Sequence, residues 1–160
     1  MFPIIPANSA TAASGNDKGI FGYGGSGASM QSMTNLVSNA GVVSSDVTGV
    51  GTARQYLAAC EYGGDKGIFG FGHSGAGGLV STTNLVSNAG VVSSDVTGVG
   101  TARYAPAACE YGGDKGIFGY GYDGSSRVSM TNLVSNTGVV ATDVTGVGSA
   151  RNNIAACSFN

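Results

Sequence analysis

Few residues of this 160-residue chain could carry out chemistry, and most of them recur once per internal repeat. His73 is the only histidine, and the three cysteines, Cys60, Cys109 and Cys157, are 49 and 48 residues apart. Neither pattern gives the closely paired ligands of a zinc site or a nucleophile beside a base. The sequence therefore predicts no catalytic residue, no metal site and no cofactor, and it predicts that the protein is not an enzyme.

Charged residues also follow the repeat. An aspartate precedes a lysine in each unit, at Asp17, Asp65 and Asp114. A second aspartate stands eight residues before an arginine, in the pairs Asp46 and Arg54, Asp95 and Arg103, Asp143 and Arg151. Acids and bases that recur in every unit most often form structural hydrogen bonds and ion pairs. We therefore expect these residues to connect strands.

The repeat itself is almost exact. "TNLVSNAGVVSSDVTGVGTAR" at Thr34 to Arg54 returns unchanged at Thr83 to Arg103, and a third time at Thr131 to Arg151 with four changes. The period of 48 to 49 residues lies in the range of propeller blades and above that of helical solenoids. With 29 glycines, 10% charged and 42% hydrophobic residues, the composition favours β structure over helix or disorder.

Turn residues divide each unit into four strand candidates. "AACEY" is followed by the hairpin turn "GGD", then by "KGIFG", by "TNLVSN" after a loop of varying sequence, and by "GVVSSDVTGVG". Such a four-stranded antiparallel meander is one blade of a propeller. The sequence therefore predicts an all-β fold with three four-stranded blades in residues 15–160, preceded by an N-terminal leader at residues 1–14.

The order of these elements resembles the kelch repeat family. "AACEYGGDKGIFGYG" followed by "GVGTAR" is similar to the succession of a small-residue strand, a glycine-ended strand and a closing arginine, which places Arg54, Arg103 and Arg151 at the family's arginine. The resemblance implies a β-propeller. The "DKGIFGYG" and "TNLVSN" repeats also resemble proteins of marine bacteriophages and environmental sequences, which says little about activity.

Three blades are fewer than the four to eight of a closed propeller. The chain enters at the second strand of its first unit, and residues 154–159 supply a last strand that would complete the blade begun at residues 17–47. We therefore expect a homodimer with a six-bladed ring, or alternatively a trimer. The segment Ala10 to Ser14 is the competing candidate for the missing first strand.

The copies differ mainly in two loops of each unit, which a meander places on one face. Loops on a rigid framework commonly carry binding residues, and the candidates on this face are Tyr56, His73, Tyr104, Tyr122, Asp123 and Arg127. They suit a glycan or a protein surface. The sequence thus predicts a non-enzymatic propeller scaffold or recognition module, virion-associated or lectin-like; the alternative is a purely structural self-assembling repeat protein, natural or engineered, without a ligand.

The net charge and the N-terminal segment bear on partners and location. The net charge is −2 and the seven basic residues are dispersed, which excludes a nucleic-acid footprint. "MFPIIPANSATAASG" has no basic region, and Pro3 and Pro6 interrupt its short apolar stretch, so we expect neither a signal peptide nor a membrane span. The predicted location is soluble, either with the virion or in the cytoplasm.

Overall fold

The computed structural model describes residues 17–159, and this part of the chain is all-β. Eight strands form three antiparallel sheets, with no α-helix in the described residues and one 3₁₀ turn at Gly75–Gly77. The strands are β1 (Gly19–Ser26), β2 (Ser29–Val37), β3 (Ala58–Tyr62), β4 (Lys66–Gly70), β5 (Thr83–Val86), β6 (Ala107–Tyr111), β7 (Lys115–Tyr122) and β8 (Arg127–Val134). The predicted fold class is therefore confirmed at the level of all-β.

The first sheet has the order β1-β2, the second β3-β4-β5 and the third β6-β7-β8. The second and third sheets share one register, in which Cys60 stands opposite Ile68 and Cys109 opposite Ile117. Their first hairpin turns on a glycine pair with left-handed backbone, Gly63 at φ 64° and Gly64 at φ 76° in the second sheet. Glycine takes this conformation without steric cost, as the "GGD" pattern predicts.

The predicted fourth strand does not form a continuous strand. In the first sheet it pairs with β2 only through isolated bridges, Thr34 with Val47 and Val37 with Val43. Between these bridges the hydroxyl of Ser44 accepts the N–H of Leu36 at 2.9 Å, and the amide of Asn35 donates to the carbonyl of Ser44 at 3.2 Å. Side chains thus take hydrogen bonds that a strand ladder would use, and the sheets have two or three strands rather than four.

An aromatic residue with left-handed backbone follows "KGIFG" in each unit. Tyr23, Phe71 and Tyr120 have φ of 63°, 64° and 63°. In the first and third sheets the register also shifts at this position, between Gly22 and Gly24 and between Gly119 and Gly121. A bulge of this kind bends the strand and redirects a carbonyl, and the carbonyls of Phe71 and Tyr120 both accept a hydrogen bond from an arginine.

A phenylalanine ring of the second sheet, and another of the third, packs on a glycine of the preceding sheet. A Cβ on Gly22 would lie 2.9 Å from the tip of the Phe69 ring, and one on Gly70 would lie 2.8 Å from the ring of Phe118. These glycines are required because no side chain fits between the two sheets there. The wholly buried core lies between the second and third sheets and consists of Tyr62, Ile68, Phe71, Phe118 and Val134.

A buried arginine also joins each pair of neighbouring sheets. Arg54 follows the first sheet, is 0% exposed and lies 4.2 Å over the ring of Tyr23 in that sheet. Its Nε donates to the carbonyl of Phe71 at 3.0 Å and its Nη2 to the Oδ1 of Asn84 at 2.7 Å, both in the second sheet. We call this arrangement the arginine joint.

Arg103 makes the same joint between the second and third sheets. It is 0% exposed, lies 3.9 Å over the ring of Phe71, and donates to the carbonyl of Tyr120 and to the Oδ1 of Asn132, both at 2.7 Å. Burial lowers the pKa of Arg103 to about 10, although Asp143 opposes this change. In two of the three units, the repeated arginine thus connects strands through hydrogen bonds, as predicted.

The predicted leader, residues 1–14, and the competing first strand at residues 10–14 lie outside the described residues. Within residues 17–159, no helix has the length and apolarity needed to cross a bilayer.

Candidate functional site

Short backbone ladders bring the two variable loops of a unit together. Gln55 and His73 exchange N–H to carbonyl bonds of 3.0 and 2.9 Å, and Tyr104 and Tyr122 exchange two bonds of 3.0 Å. In each pair, one residue comes from the loop that follows the arginine and the other from the loop after "KGIFG". Residues that are variable between copies therefore lie side by side on this face.

Three tyrosines form a row across this face. The ring centroids of Tyr56 and Tyr104 are 5.7 Å apart and those of Tyr104 and Tyr122 are 5.4 Å apart, with interplanar angles of 48° and 47°. Tyr56 is 56% exposed, whereas Tyr104 and Tyr122 are half-buried. We call this the tyrosine row. Such a row presents aromatic surface and hydroxyl groups together.

A cavity of about 410 Å³ lies at one end of the row and is lined by Gln55, Tyr56, His73, Tyr104 and Asn153. The N–H of Gly75 donates to the Nδ1 of His73 at 3.2 Å. Because Nδ1 is an acceptor, the neutral imidazole carries its proton on Nε2 and can donate from that atom. The cavity therefore combines aromatic faces with amide and imidazole groups that form hydrogen bonds.

The backbone beneath the row has the same unusual conformation in each unit. Tyr56, Ala105 and Asn153 occupy equivalent positions with φ of 56°, 51° and 53°. The N–H of Ala105 donates to the carbonyl of Tyr56 at 2.7 Å, and that of Asn153 to the carbonyl of Ala105 at 3.1 Å. Left-handed backbone costs energy in a non-glycine residue and is often found at functional sites. This ladder holds the ends of the loops at fixed spacing.

The other two candidate residues hydrogen-bond to neighbouring loop residues. The Oδ1 of Asp123 accepts the N–H groups of Ser126 and Ser125 at 2.7 and 2.8 Å, and these bonds lower the pKa of Asp123. Arg127 donates from Nε to the Oδ1 of Asn152 at 3.2 Å. The structure thus brings together Tyr56, His73, Tyr104 and Tyr122. It places Asp123 in a turn and Arg127 in a contact between two loops.

Sequence reasoning missed Gln55 and Asn153, which line the cavity. Both stand in the variable loop after the arginine, where the three copies read "QYL", "YAP" and "NNI". Variation between copies therefore marked the correct segment. Choosing only aromatic and charged residues within it excluded the two amides.

The repeated cysteines and a pair of glutamates lie outside this cavity. Burial raises the pKa of the Cys60 thiol to about 12, and burial also raises the pKa of Cys109. A thiol in this state is neither a good nucleophile nor a metal ligand at neutral pH. Burial, together with the neighbouring Glu61, raises the pKa of Glu110 as well. Within residues 17–159, neither Glu61 nor Glu110 forms a salt bridge.

No family model matches the chain, and no curated protein matches it. Among solved structures it is similar to a fungal alcohol oxidase of the AA5 family in complex with copper, at 12% identity and a TM-score of 0.50. The match covers 68% of this chain and 23% of the oxidase, so the chain spans less than a quarter of that protein. At this identity the likeness shows the fold alone.

This comparison corrects the functional prediction. The sequence was interpreted as a non-enzymatic scaffold or recognition module, or as a purely structural repeat protein, but a solved structure that the chain resembles belongs to an enzyme. The physical reason is that an all-β repeat framework does not determine chemistry, because function depends on sites carried by a fold. That this chain itself is not an enzyme stays a prediction, as does its kelch resemblance.

The residues of this chain do not fit the copper of that oxidase. His73 is the only imidazole in the sequence, and residues 17–159 contain no group of three His, Cys, Asp or Glu side chains placed to hold a metal ion. Copper sites in proteins rely on imidazole and thiolate ligands. The likeness therefore does not extend to the metal centre.

Proposed function

We propose that this chain is a half-propeller of the kelch type, that two copies complete a six-bladed ring, and that each copy binds a small polyhydroxylated molecule in the cavity at the tyrosine row. The cavity lies on the variable loop face that the sequence indicated. The proposal differs from the corrected prediction in that it concerns one pocket for a small molecule and does not require the protein to be non-enzymatic.

The number of strands in each sheet supports the ring. The first sheet has two strands where the second and third have three, so within residues 17–159 β1 has an open edge. Residues 154–159 read "IAACSF", close to the "AACEY" of β3 and β6, and belong to no strand within residues 17–159. An edge that is open within the described residues and a segment of matching sequence outside any sheet favour strand addition between copies.

The register of the other sheets indicates how that strand would pair. Since Cys60 stands opposite Ile68 and Cys109 opposite Ile117, Cys157 of a second copy would stand opposite Ile20. A cavity of about 460 Å³ lies beside this edge and is lined by residues of the first and second sheets, Ile20 and Cys60 among them. The incoming strand would fill it with apolar side chains.

The observation that carries the ligand proposal is the tyrosine row with amide and imidazole groups at its end. Sugars and other polyols have C–H faces that pack on aromatic rings and hydroxyls that pair with polar groups. A cavity of about 410 Å³ lies within the range of small-molecule pockets. The alcohol oxidase that shares the fold acts, by its name, on the same chemical class.

Binding is tested by titrating the protein with glucose and with glycerol, followed by backbone amide NMR shifts. We expect saturable shifts at Gln55, His73 and Tyr104. Tyr104→Ala should weaken binding about tenfold, because it removes the central ring of the row. Tyr111→Ala is the matched control, since Tyr111 is an exposed tyrosine of β6 outside this cavity. Equal effects of both variants, or no saturable binding by either probe, would overturn the ligand proposal.

The ring is tested by light scattering on a sizing column over a dilution series. We expect a dimer that is lost when residues 154–160 are deleted and is retained when residues 1–14 are deleted. A dimer that depends on residues 1–14 and not on residues 154–160 would mean that β1 pairs with its own N-terminal segment. A monomer at all concentrations would overturn the ring.

A further inference from the structure

The end of the chain holds one half of an arginine joint. Arg151 lies 4.4 Å over the ring of Tyr120 and donates from Nη1 to the carbonyl of Ser149 at 3.2 Å. Arg54 and Arg103 make these two contacts within their own units, over Tyr23 and Phe71 and to the carbonyls of Thr52 and Thr101. Within residues 17–159, Arg151 has no partner from a following sheet, and it is exposed.

The start of the chain holds the other half. The amide of Asn35 donates to the Oδ1 of Asp46 at 2.8 Å. In the second sheet Asn84 donates to the Oδ1 of Asp95 at 2.9 Å, and its own Oδ1 accepts the Nη2 of Arg54. In the described residues no arginine donates to Asn35. Asn35 and Asp46 therefore form an arginine acceptor without an arginine.

A hydrogen bond to the aspartate completes each interior joint. The backbone N–H of Thr52 donates to the Oδ2 of Asp95 at 3.0 Å, and its hydroxyl donates to the same oxygen at 2.6 Å. Thr101 makes the corresponding bonds to Asp143 at 3.0 and 2.7 Å. In the third unit the equivalent residue is Ser149, which also has a hydroxyl group. The matching acceptor is the carboxylate of Asp46 in a second copy.

The apolar contacts are divided between the two ends in the same way. Phe69 and Phe118 pack on glycines of the preceding sheet and are 5% and 0% exposed, whereas Phe21 is 64% exposed. The equivalent glycine of the last sheet, Gly119, has only a Thr131 methyl group within 4 Å of where its Cβ would be. Within residues 17–159, Phe21 of the first sheet thus has no glycine of a preceding sheet to pack on, and Gly119 of the last sheet has no phenylalanine packed on it.

From these contacts we infer that the last sheet of one copy docks on the first sheet of a second copy through a third arginine joint. In this joint Arg151 donates to the Oδ1 of Asn35 and to the carbonyl of Tyr23, Ser149 donates to Asp46, and Phe21 packs on Gly119. The inference rests on the proposed association of copies and names the groups that hold it together.

An end-to-start contact is heterologous, so it closes into a ring or propagates into a filament, depending on the rotation per copy. Two copies would make two identical joints and leave no half-joint open. The same contact occurs twice within one chain with matching distances. Its geometry is therefore already compatible with consecutive sheets of this sequence.

The first experiment compares Arg151→Ala with Arg127→Ala, a change at an exposed arginine whose side chain donates to Asn152 of its own unit. Removing one partner of a buried, hydrogen-bonded charge should raise the dimer dissociation constant about 30-fold to several thousand-fold. Arg127→Ala should leave it unchanged. Circular dichroism establishes that both variants remain folded.

The second experiment restores the joint by mixing. The double variant Asn35→Ala/Asp46→Ala lacks the acceptor and Arg151→Ala lacks the donor, so each alone should be monomeric at concentrations where the wild type dimerises. A mixture retains one intact joint, and native mass spectrometry with one isotope-labelled component should detect mixed dimers. The triple variant, Asn35→Ala/Asp46→Ala/Arg151→Ala, mixed with Arg151→Ala has no intact joint and should give none.

These outcomes separate the joint from the ring. A dimer that survives both Arg151→Ala and Asn35→Ala/Asp46→Ala would overturn the joint and leave the dimer standing. Mixed dimers in the triple-variant control would also overturn it. A wild-type trimer that depends on Arg151 would support the joint and overturn the six-bladed ring.

Discussion

Residues 34–54 and residues 83–103 have the same sequence but different surroundings. Asn84 and Val86 are 0% and 3% exposed, whereas their counterparts Asn35 and Val37 are only half-buried. Thr34 and Thr83, in contrast, are both buried, at 4% and 3%. Asn84 accepts a hydrogen bond from Arg54 of the preceding unit, and within residues 17–159 no preceding unit supplies such a contact to Asn35.

Burial in a repeat protein is therefore set by the neighbouring unit as much as by the sequence of the unit itself. An identical segment becomes core in one place and surface in another. Substitutions at equivalent positions should therefore have unequal effects, and the inequality measures the contribution of the neighbour.

The largest contrast is expected between Phe118→Ala and Phe21→Ala. Phe118 is 0% exposed and Phe21 is 64% exposed at the same position of the motif. Truncation of Phe118 leaves a cavity between the second and third sheets and should lower the free energy of unfolding by about 3–5 kcal/mol. Phe21→Ala should change it by less than about 0.5 kcal/mol.

Urea denaturation followed by circular dichroism provides the measurement. It is made at a concentration where sizing shows the chain to be monomeric, because Phe21 contributes to the inferred joint between copies. Similar losses for the two variants would mean that Phe21 is buried within its own copy, contrary to the structure.

A smaller contrast is expected between Gly70→Ala and Gly119→Ala. A Cβ on Gly70 would lie 2.8 Å from the Phe118 ring, whereas one on Gly119 would approach only a Thr131 methyl group, at 3.3 Å. Forcing the second and third sheets apart should lower the free energy of unfolding by about 1–3 kcal/mol, and Gly119→Ala by less than about 1 kcal/mol. Thermal unfolding of both variants under the conditions above tests this, and a larger loss for Gly119→Ala would contradict it.

Much of the fold could be predicted from the sequence because turn residues mark its strands. The "GGD" hairpins and the strands "AACEY", "KGIFG" and "TNLV" lie where their alternation and glycines place them. The prediction of a fourth strand was wrong, because Ser44 and Asn35 replace ladder bonds with side-chain bonds. The left-handed backbone of Tyr23, Phe71 and Tyr120 was equally hidden, since aromatic residues disfavour it and only contacts between sheets stabilise it.

The candidate site could be predicted less completely. Variation between copies identified the loops that carry Tyr56, His73, Tyr104 and Tyr122. Whether a residue in such a loop reaches the cavity depends on local hydrogen bonds, and these turn Asp123 towards Ser125 and Ser126. Gln55 and Asn153 reach it because the backbone ladder along the loops places them there.

The smallest effect is a pH dependence of the two complete joints. Burial raises the pKa of Asp95, but hydrogen bonds from Thr52 and Asn84 and the charge of Arg54 outweigh it, and the pKa lies below its ordinary value. Asp143 has the equivalent partners and the same net direction. With a lowered folded-state pKa, each carboxylate stabilises the fold above its ordinary pKa of about 3.9, and this stabilisation is lost as the pH falls through the folded-state value. Because both side chains keep about a third of their surface in solvent, 32% and 30%, each should contribute at most about 1 kcal/mol. Between neutral pH and pH 3, the urea midpoint should therefore fall less steeply for Asp95→Asn/Asp143→Asn than for the wild type. Parallel curves for the two proteins would show that these carboxylates do not stabilise the joints.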